Sequence, residues 1–515
     1  MPTYHVENFG CRATQADGAA LERQFEARGL SRADAPSEAK VVVLNTCTVT
    51  AAADQDARAA IRRIQRKNPK ARIIVTGCYA QRAPEEIAAL PGVSLVIGNS
   101  HKSQLAELAL SNFHELQQDF GRRCDSSAAT ESMATELLEE TGALAAAGHL
   151  VPLSALTDNW QPGRDRSIFV SDIFAHTELL AAPVFEGTSN SRTRPNLKIQ
   201  DGCDNRCSFC VIPYVRGQSR SLRPAEIIRE VNLLVDSGYR EVVISGINLG
   251  RWGRDLAISS QPSAFSDEDA PQQSSPDSQH QDGQRFESLI RAILEETSLE
   301  KLRISSVEPM DWSDELIALV AESPRIAKHA HVPLQSGSDA VLRRMHRKYR
   351  PWHYREKIEK IRAALPTAAI GADVMAGFPG ETDAEFEATR RLIEELPFTY
   401  LHVFTYSARP GTPAADMRNQ VPVHIARERN RILRDLAAEK KQAFMQSFVG
   451  QTLPAITLGS GEETSGECNN EIPAFTEALT DNFLKLNFKG SHVANRWLNA
   501  RILAVDQDVL IGVEN

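Results

Sequence analysis

Residues 198–221 read KIQDGCDNRCSFCVIPYVRGQSRS, and this stretch says more about the fold than any other part of the chain. It follows the strand-like segment LKIQ and places Cys203, Cys207 and Cys210 within eight residues of one loop. A four-iron cubane is normally held by four cysteine thiolates, so a loop that supplies three leaves one iron with an open position. A substrate or cofactor binds at such an open metal position. A zinc site is the alternative, but it needs a fourth ligand and the loop contains no histidine.

Five further strand-like segments follow this loop, and helical segments separate them. The strands are EVVISG, KLRISS, HAHVPLQ, IGADVMAG and LHVFTY. The helical segments are PAEIIREVNLLVD, FESLIRAILEE, SDELIALVAE, HYREKIEKIRAAL and EFEATRRLIEEL. Alternation of strands and helices predicts parallel pairing. Six such units predict an open or partial α/β barrel with its site at the C-terminal ends of the strands.

The first hundred residues show a second α/β pattern, with strands in TYHVENFG, KVVVLN, ARIIVTG and VSLVIGN. Helices are predicted over residues 18–29 and 51–68. Cys11, Cys47 and Cys78 each lie just past a strand, about one βαβ unit apart. Because parallel crossovers bring consecutive strand ends to one edge of the sheet, the three cysteines are expected to converge. The alternative is three buried thiols, since free cysteine is often buried.

The rest of the chain divides by composition. Residues 111–192 are rich in Ala, Ser and Glu and predict a linker with a helical insertion. Residues 257–285 contain five acidic residues and, apart from Arg285 at the end, no Lys or Arg, which predicts a disordered loop. A charged helix over residues 423–448 is followed by short alternating segments that predict a small antiparallel β-barrel. The predicted domains are therefore 1–110, 111–192, 193–436 and 437–515. Cys124 and Cys468 fit neither cysteine pattern and are taken as structural or incidental.

Composition limits the class of protein. A chain of 515 residues predicts about three domains. The chain has 42% hydrophobic and 24% charged residues, which is the composition of an ordinary globular protein. Because its net charge is -9, a nucleic acid would have to be held by local basic patches. No apolar run approaches the ~18 residues of a membrane span, and no secretory leader is present, so a cytoplasmic location without membrane association is expected.

The C-x3-C-x2-C loop after the first strand of a six-unit barrel resembles the radical S-adenosylmethionine (SAM) superfamily. By this resemblance Cys203, Cys207 and Cys210 are catalytic and hold a [4Fe–4S] cluster whose open iron binds SAM. The reduced cluster splits SAM to a 5′-deoxyadenosyl radical that abstracts hydrogen. The resemblance also implies cofactor contacts from polar or glycine positions at strand ends: Ser245, Gly246, Asn248, Glu308 and Gly377. The second strand of this chain does not contain the Gly-Gly-Glu sequence that is usual in the superfamily. For the glycines at strand ends, an ordinary turn is the alternative interpretation.

Cys11 in NFGCRATQADG, Cys47 in LNTCTVT and Cys78 in VTGCYAQ are similar to the N-terminal domain of the radical SAM methylthiotransferases. This resemblance implies that the three cysteines hold a second [4Fe–4S] cluster, which handles the sulfur. NTCTVT and KIQDGC point to the branch that methylthiolates C2 of N6-threonylcarbamoyladenosine beside the anticodon of tRNA. Sister branches modify isopentenyladenosine in tRNA or an aspartate of a ribosomal protein. A non-catalytic iron–sulfur or zinc protein that binds RNA or carries electrons is the alternative of another class.

Partners follow from the same resemblance: the anticodon loop of tRNA, and an electron donor such as flavodoxin or ferredoxin. A candidate RNA patch combines five basic residues, Arg343, Arg344, Arg347, Lys348 and Arg350, with Met345, His346, Tyr349 and Trp352. A second basic stretch spans residues 192–223 and includes Arg216, Arg220 and Arg223. A solvated helical face is the alternative for each. The C-terminal barrel resembles the RNA-binding TRAM domain, but residues 451–515 hold four basic and nine acidic residues, so a mainly structural role is also open.

Overall fold

The computed structural model of this chain describes residues 2–110, 167–176, 179, 194–259, 285–458 and 475–515. Cys124, Cys468 and most of the two predicted insertions lie outside these residues. The chain forms two compact units, the first comprising Met1–His176 with Tyr214–Arg216 and the second Thr177–Pro213 with Gly217–Asn515. Within the described ranges, no helix is both long and apolar enough to cross a membrane.

The first unit is built on a six-stranded sheet in the order β2-β1-β3-β4-β5-β6, in which neighbouring strands pair in parallel. Its strands are β1 (Thr3–Asn8), β2 (Ser31–Arg32), β3 (Val41–Thr46), β4 (Arg72–Gly77), β5 (Val93–Ile97) and β6 (Ser167–Phe169). Every residue of β3 is buried, as expected for a parallel strand covered on both faces. The predicted parallel α/β fold is confirmed. The edge strand β6 lies in the segment interpreted from composition as a linker with a helical insertion.

Helices connect these strands: α1 (Arg12–Glu26), α2 (Ala51–Lys67), α3 (Cys78–Arg82) and α4 (Pro84–Ala88), with 3-10 turns at Asn99–Gln104 and Ile173–Ala175. Helix α2 begins where predicted because Thr50 caps it, its side chain accepting a hydrogen bond from the Ala53 backbone at 3.2 Å. Helix α1 begins at Arg12 rather than at Gly18. The first turns of this helix were missed because their buried residues include the small Ala13 and Ala16, which give only a weak apolar periodicity in the sequence.

The second unit contains the predicted partial barrel, with β7 (Asn196–Asp201), β9 (Glu241–Gly246) and β10 (Lys301–Ile304) in one sheet and β11 (His329–His331), β12 (Ala369–Ala376) and β13 (Tyr400–Thr405) in another. These six strands pair in parallel, and bridges at Leu302–Ile326 and Ser306–His331 link the two sheets. A short strand, β8 (Arg220–Ser221), adds antiparallel to β7 and was not predicted.

The helices of this part of the chain cover the strands from one side and share one apolar core. They are α6 (Pro224–Asp236), α7 (Arg254–Ser259), α8 (Phe286–Glu296), α9 (Asp314–Glu322), α10 (Asp339–Arg344), α11 (Pro351–Ala364) and α12 (Asp383–Glu395). The short helix α5 (Ile212–Arg216) is not part of this core, and its residues Tyr214–Arg216 belong to the first unit. Short 3-10 turns occur at Leu249–Arg251, Pro309–Asp311 and Pro413–Ala415.

A long helix, α13 (Val423–Gln446), leads to the C-terminal barrel. That barrel closes in the order β14-β15-β16-β18-β17. Its strands are β14 (Thr452–Thr457), β15 (Phe475–Thr480), β16 (Lys485–Lys489), β17 (Trp497–Asp506) and β18 (Val509–Glu514). The predicted small barrel is confirmed, although β16 and β18 pair in parallel.

Candidate iron–sulfur and cofactor sites

The N-terminal cysteines meet at the C-terminal edge of the first sheet. Thr46 and Gly77 are partners in the pairing of β3 with β4, so Cys47 and Cys78 leave adjacent strands at the same level. Gly77 has φ +98°, and a Cβ there would lie 2.3 Å from the Thr46 carbonyl oxygen. Gly10 has φ +97° and lies so close to Cys47 that a Cβ added to this glycine would be 2.5 Å from the Cys47 Cβ. The two glycines therefore let the chain segments that carry Cys11, Cys47 and Cys78 come close at this edge, and their assignment to one cluster stays a prediction.

This triad offers sulfur atoms in a protected setting. Cys47 and Cys78 are buried, whereas Cys11 is exposed. Burial, with the neighbouring Cys78, raises the pKa of Cys47 to about 12. The Asn99 amide donates a hydrogen bond to Cys78 Sγ at 3.6 Å, and the Val49 backbone donates one to Cys47 Sγ at 3.5 Å. N–H donors aimed at sulfur are one of the means by which proteins tune iron–sulfur clusters.

A buried charge network lies in the same unit. The Asp17 carboxylate accepts from Lys102 Nζ and from Arg216 Nη2, both at 2.9 Å, and all three side chains are almost fully buried. The prediction that Arg216 belongs to a basic stretch that contacts RNA is therefore wrong, because only 2% of this residue is accessible. Lysine and arginine are rarely fully buried unless they are paired, and a carboxylate on another element is not visible in sequence.

The second cysteine loop lies past the end of β7. Several hydrogen bonds fix its backbone. The Cys203 N–H donates to the Gly217 carbonyl, the Ser208 N–H to the Met345 carbonyl and the Cys210 N–H to the Cys207 carbonyl, each at 3.1 Å, and the Ala414 N–H donates to the Ser208 carbonyl at 2.9 Å. All three thiols are partly accessible. Burial raises the pKa of Cys203 to about 11 and that of Cys210 to about 12. These hydrogen bonds hold the loop at the end of β7, and the assignment of one cluster to its three cysteines stays a prediction.

Arg347 is the residue that sequence reasoning misplaced. It is assigned above to an RNA patch, but its side chain is buried, donates to Cys207 Sγ at 3.3 Å and forms an ion pair with Glu308. Its Nε also donates to the Tyr349 hydroxyl at 3.3 Å. Burial alone would lower the pKa of Arg347, but Tyr349, Glu308 and Cys207 together raise it well above its usual value. The alternation of buried Met345, Arg347 and Tyr349 with exposed neighbours is the period-two signal that could have revealed this.

Much of the remaining patch is paired with carboxylates. Arg344 binds both oxygens of Glu385 at 2.9 Å, and Arg350 contacts Asp339 at 3.1 Å. The aromatic Tyr349 is buried, whereas 56% of Trp352 is accessible. The predicted RNA surface is thus reduced to its exposed members, chiefly Arg343, His346, Lys348 and Trp352.

The C-terminal end of β9 and the residues that follow it carry buried polar atoms that fit a polar cofactor. In the described part of the chain, neither Ser245 Oγ nor Asn248 Oδ1 has a hydrogen-bond partner, although both are buried. Gln200 Oε1 accepts from the Asn248 backbone at 2.7 Å, and a Cβ on Gly246 would lie 2.9 Å from that of Gln200. Buried polar atoms without partners are rare, and a bound ligand is one explanation for them.

Gly377 has a structural explanation of its own. Its φ is +78°, its N–H donates to Glu381 Oε2 at 2.8 Å, and a Cβ would lie 2.4 Å from that of Ala426. These contacts account for a glycine at this position, and its predicted contact with SAM stays a prediction.

Comparison with known proteins identifies the family. The model described as Uncharacterized protein family UPF0004 matches residues 3–98, and the Radical SAM superfamily model matches residues 197–393. The chain is 34% identical to threonylcarbamoyladenosine tRNA methylthiotransferase MtaB of Bacillus subtilis strain 168, over 95% of this chain and 91% of that protein. The chain belongs to the radical SAM tRNA methylthiotransferase family.

Two other relatives bear on the branch within this family. The MtaB enzyme of Rickettsia prowazekii is 33% identical, over 98% of this chain and 95% of that protein. The tRNA-2-methylthio-N(6)-dimethylallyladenosine synthase of Syntrophotalea carbinolica is 30% identical, over 91% of each chain. Both substrate branches are therefore represented among the relatives.

A radical SAM tRNA methylthiotransferase is an enzyme that transfers a sulfur-containing group, and its cofactors are two [4Fe–4S] clusters and SAM. The donor set fits, since two groups of three cysteines each leave one iron of a four-iron cluster without a protein ligand. Within the described ranges, no three His, Cys, Asp or Glu side chains lie close enough to hold a single metal ion. Thiolates around a cubane bind different irons and do not meet at one ion.

Proposed function

We propose that this enzyme methylthiolates C2 of N6-threonylcarbamoyladenosine beside the anticodon of tRNA. The observation that carries the proposal is the similarity to the two MtaB enzymes, at 34% and 33% identity over nearly their whole lengths. The similarity to the dimethylallyladenosine enzyme, at 30%, makes that nucleoside the competing substrate. The adenine C2–H bond is not acidic and C2 resists polar attack, so this reaction suits a radical cofactor.

The proposed roles of the residues follow their positions. Cys203, Cys207 and Cys210 hold the cluster that supplies, when bound, the electron for SAM cleavage. Arg347 orients Glu308 and donates to Cys207, so it is a positioning residue at this cluster. Ser245 and Asn248 present buried polar atoms to SAM.

We assign the second cluster, the one that handles the transferred sulfur, to Cys11, Cys47 and Cys78. The buried thiols of Cys47 and Cys78 protect this cluster from solvent, while exposed Cys11 leaves one side accessible. Three exposed side chains are proposed to contact the RNA: Arg343, Lys348 and Trp352. The two cations would bind phosphates, and the indole would stack on an unpaired base. The electron donor is proposed to be a flavodoxin or a ferredoxin.

Mass spectrometry of nucleosides from bulk tRNA, in cells with and without the gene, tests the substrate. We expect 2-methylthio-N6-threonylcarbamoyladenosine to disappear and its unthiolated precursor to accumulate when the gene is removed. Re-expression of the intact chain should restore the product, whereas Cys47→Ala and Cys203→Ala chains should not. Loss of the isopentenyl product instead would move the enzyme to the other tRNA branch, and unchanged tRNA would overturn the tRNA proposal.

A further inference from the structure

A buried lysine of the first unit connects two of the segments that carry the N-terminal cysteines. Lys102 Nζ donates to Asp17 Oδ2 at 2.9 Å and to Asn45 Oδ1 at 3.2 Å. Asp17 lies in α1, which begins directly after Cys11. Asn45 lies in β3, two residues before Cys47. The lysine therefore binds the elements next to two of the three cysteines.

The third cysteine is contacted from the same turn of the chain. Lys102 belongs to the 3-10 turn Asn99–Gln104, and the Asn99 amide donates to Cys78 Sγ at 3.6 Å. The same amide nitrogen donates to the Val215 carbonyl at 2.7 Å, which fixes its orientation. This one short turn therefore contacts Cys78 itself as well as the elements that carry the other two cysteines.

The buried charges beside this turn act on the cysteines. Asp17 pairs with Lys102 and with Arg216, so these three side chains together contribute two positive charges and one negative charge. At most 4% of each side chain is accessible, and buried charges are screened little by solvent. Burial raises the pKa of Cys47, and the charge of Arg216 acts in the opposite direction. Burial lowers the pKa of Lys102, and Asp17 and Cys78 act in the opposite direction.

A positive charge beside an iron–sulfur cluster changes how easily the cluster takes up an electron. Three thiolates make a four-iron cluster negative overall, and reduction by one electron makes it more negative. A buried cation stabilises the more negative state, because electrostatic interactions are strong in the protein interior. The N–H donors to Cys47 and Cys78 act in the same direction. These groups therefore favour the reduced state of a cluster at this edge of the sheet.

We propose that Lys102 is a positioning residue of the N-terminal cluster and raises its reduction potential, an inference that rests on the proposed assignment of that cluster to three cysteines. The lysine does so through its charge and through its hydrogen bonds to Asp17 and Asn45. Arg216 supplies a second cation, and the Asp17 carboxylate offsets one of the two. The potential of the cluster therefore depends on the sum of these charges and not on any single contact.

The test is a redox titration with dithionite, followed by electron paramagnetic resonance, of the anaerobically reconstituted full-length chain. In the background chain, three cysteines are replaced by Ala so that only the N-terminal cluster titrates: Cys203, Cys207 and Cys210. Lys102→Met removes one positive charge and keeps the pair of Arg216 with Asp17. We expect it to disfavour reduction by about tenfold or more, which lowers the potential by about 60 mV for a one-electron couple.

Adding Asp17→Asn to Lys102→Met separates the effect of charge from that of structure. The double variant lacks the carboxylate as well as the ammonium group, so the charge of Arg216 restores the original sum. Its potential should return to that of the background chain, although more hydrogen bonds are lost. A purely structural role would instead move its potential further from the background. Arg216→Met removes the other cation, should also lower the potential, and gives the same comparison if Lys102→Met does not retain iron.

The matched control is Lys70→Met, which makes the same substitution at an exposed lysine. Lys70 precedes β4, so it lies at the opposite edge of the sheet from the cysteines. Its potential should equal that of the background chain. Equal potentials for Lys102→Met and Lys70→Met would overturn the inference and leave the cluster assignment standing. If the background chain itself does not bind about four iron atoms, the cluster assignment fails and the inference fails with it.

Discussion

The guanidinium of Arg347 contacts three different groups: Cys207 Sγ, the Glu308 carboxylate and the Tyr349 hydroxyl. Its centre also lies 4.9 Å from the Tyr349 ring. A planar cation with several donors can serve all of these partners at once, which a lysine cannot. A hydrogen bond and a positive charge beside a cluster sulfur stabilise the reduced, more negative state of the cluster.

Arg347→Met should therefore lower the reduction potential of the cluster at Cys203, Cys207 and Cys210. Loss of one charge-assisted hydrogen bond corresponds to about 60 mV or more for a one-electron couple. The measurement is a redox titration followed by electron paramagnetic resonance. A chain with Cys11, Cys47 and Cys78 replaced by Ala serves as the background, so that one cluster titrates.

Arg343→Met is the control for this prediction, because its side chain is 62% exposed and pairs with Asp339. The potential of that variant should equal that of the background. An Arg347→Met potential within experimental error of the background would show that the guanidinium does not act on the cluster sulfur.

Strands β3 and β4 illustrate how paired elements build a site from distant residues. Each is a short apolar run followed by a cysteine, and parallel pairing brings the two ends together. This part of the site could be predicted from sequence because the strands are strongly apolar and the spacing matches one βαβ unit. The role of Gly77 could not be predicted from the sequence, because a glycine after a strand is equally typical of an ordinary turn.

Gly77→Ala should damage the N-terminal cluster selectively. The added Cβ meets the Thr46 carbonyl, and the backbone at φ +98° costs an alanine about 2 kcal/mol or more. We expect iron in the reconstituted enzyme to fall from about eight to about four atoms per chain, because only one cubane remains. SAM cleavage at the other cluster should continue.

Gly29→Ala is the matched control, since Gly29 also has a positive φ but nothing lies within 4 Å of its added Cβ. That variant should lose about 1 to 2 kcal/mol of stability from strain alone and keep its full iron content. Equal iron loss in both variants would mean that general destabilisation, not the Thr46 contact, controls cluster loading.

Across the chain, sequence prediction succeeded where periodic patterns repeat and failed where partners come from distant elements. The six barrel strands and the small C-terminal barrel follow from alternation and apolar periodicity. Arg216 and Arg347 were misinterpreted because a charged residue is normally exposed, and the carboxylates that pair with them, on Asp17 and Glu308, lie far away in sequence. The contact between the C-terminal barrel and the radical SAM barrel was likewise invisible in the sequence.

That contact involves the turn between β15 and β16. Arg303 Nη1 donates to the Asp481 carbonyl at 3.2 Å, and Asn482 donates to the Thr367 carbonyl at 2.9 Å. Phe483 places its ring 4.7 Å from His329 and 5.9 Å from Tyr400. The turn between β15 and β16 therefore packs against β11 and β13, and whether the acidic barrel also binds RNA stays open.

Phe483→Ala should consequently loosen β11 and β13 as well as the C-terminal barrel. Phe483 has φ +68°, and alanine bears the same left-handed strain, so the variant isolates the loss of the ring. We expect the free energy of unfolding to fall by about 2 kcal/mol, less than for a fully buried phenylalanine. Hydrogen exchange should accelerate in residues 329–331 and 400–405.

The control is Phe475→Ala, in the same barrel, where the ring is 43% exposed. Its exchange should change only near β15. If Phe483→Ala accelerated exchange only within residues 475–489, the turn would be a passive neighbour of β11 and β13. If exchange in the two strands rises as expected, a change in the C-terminal barrel can alter the radical SAM site with no contact to RNA, because the ring of Phe483 helps to hold Tyr400 and His329 in place.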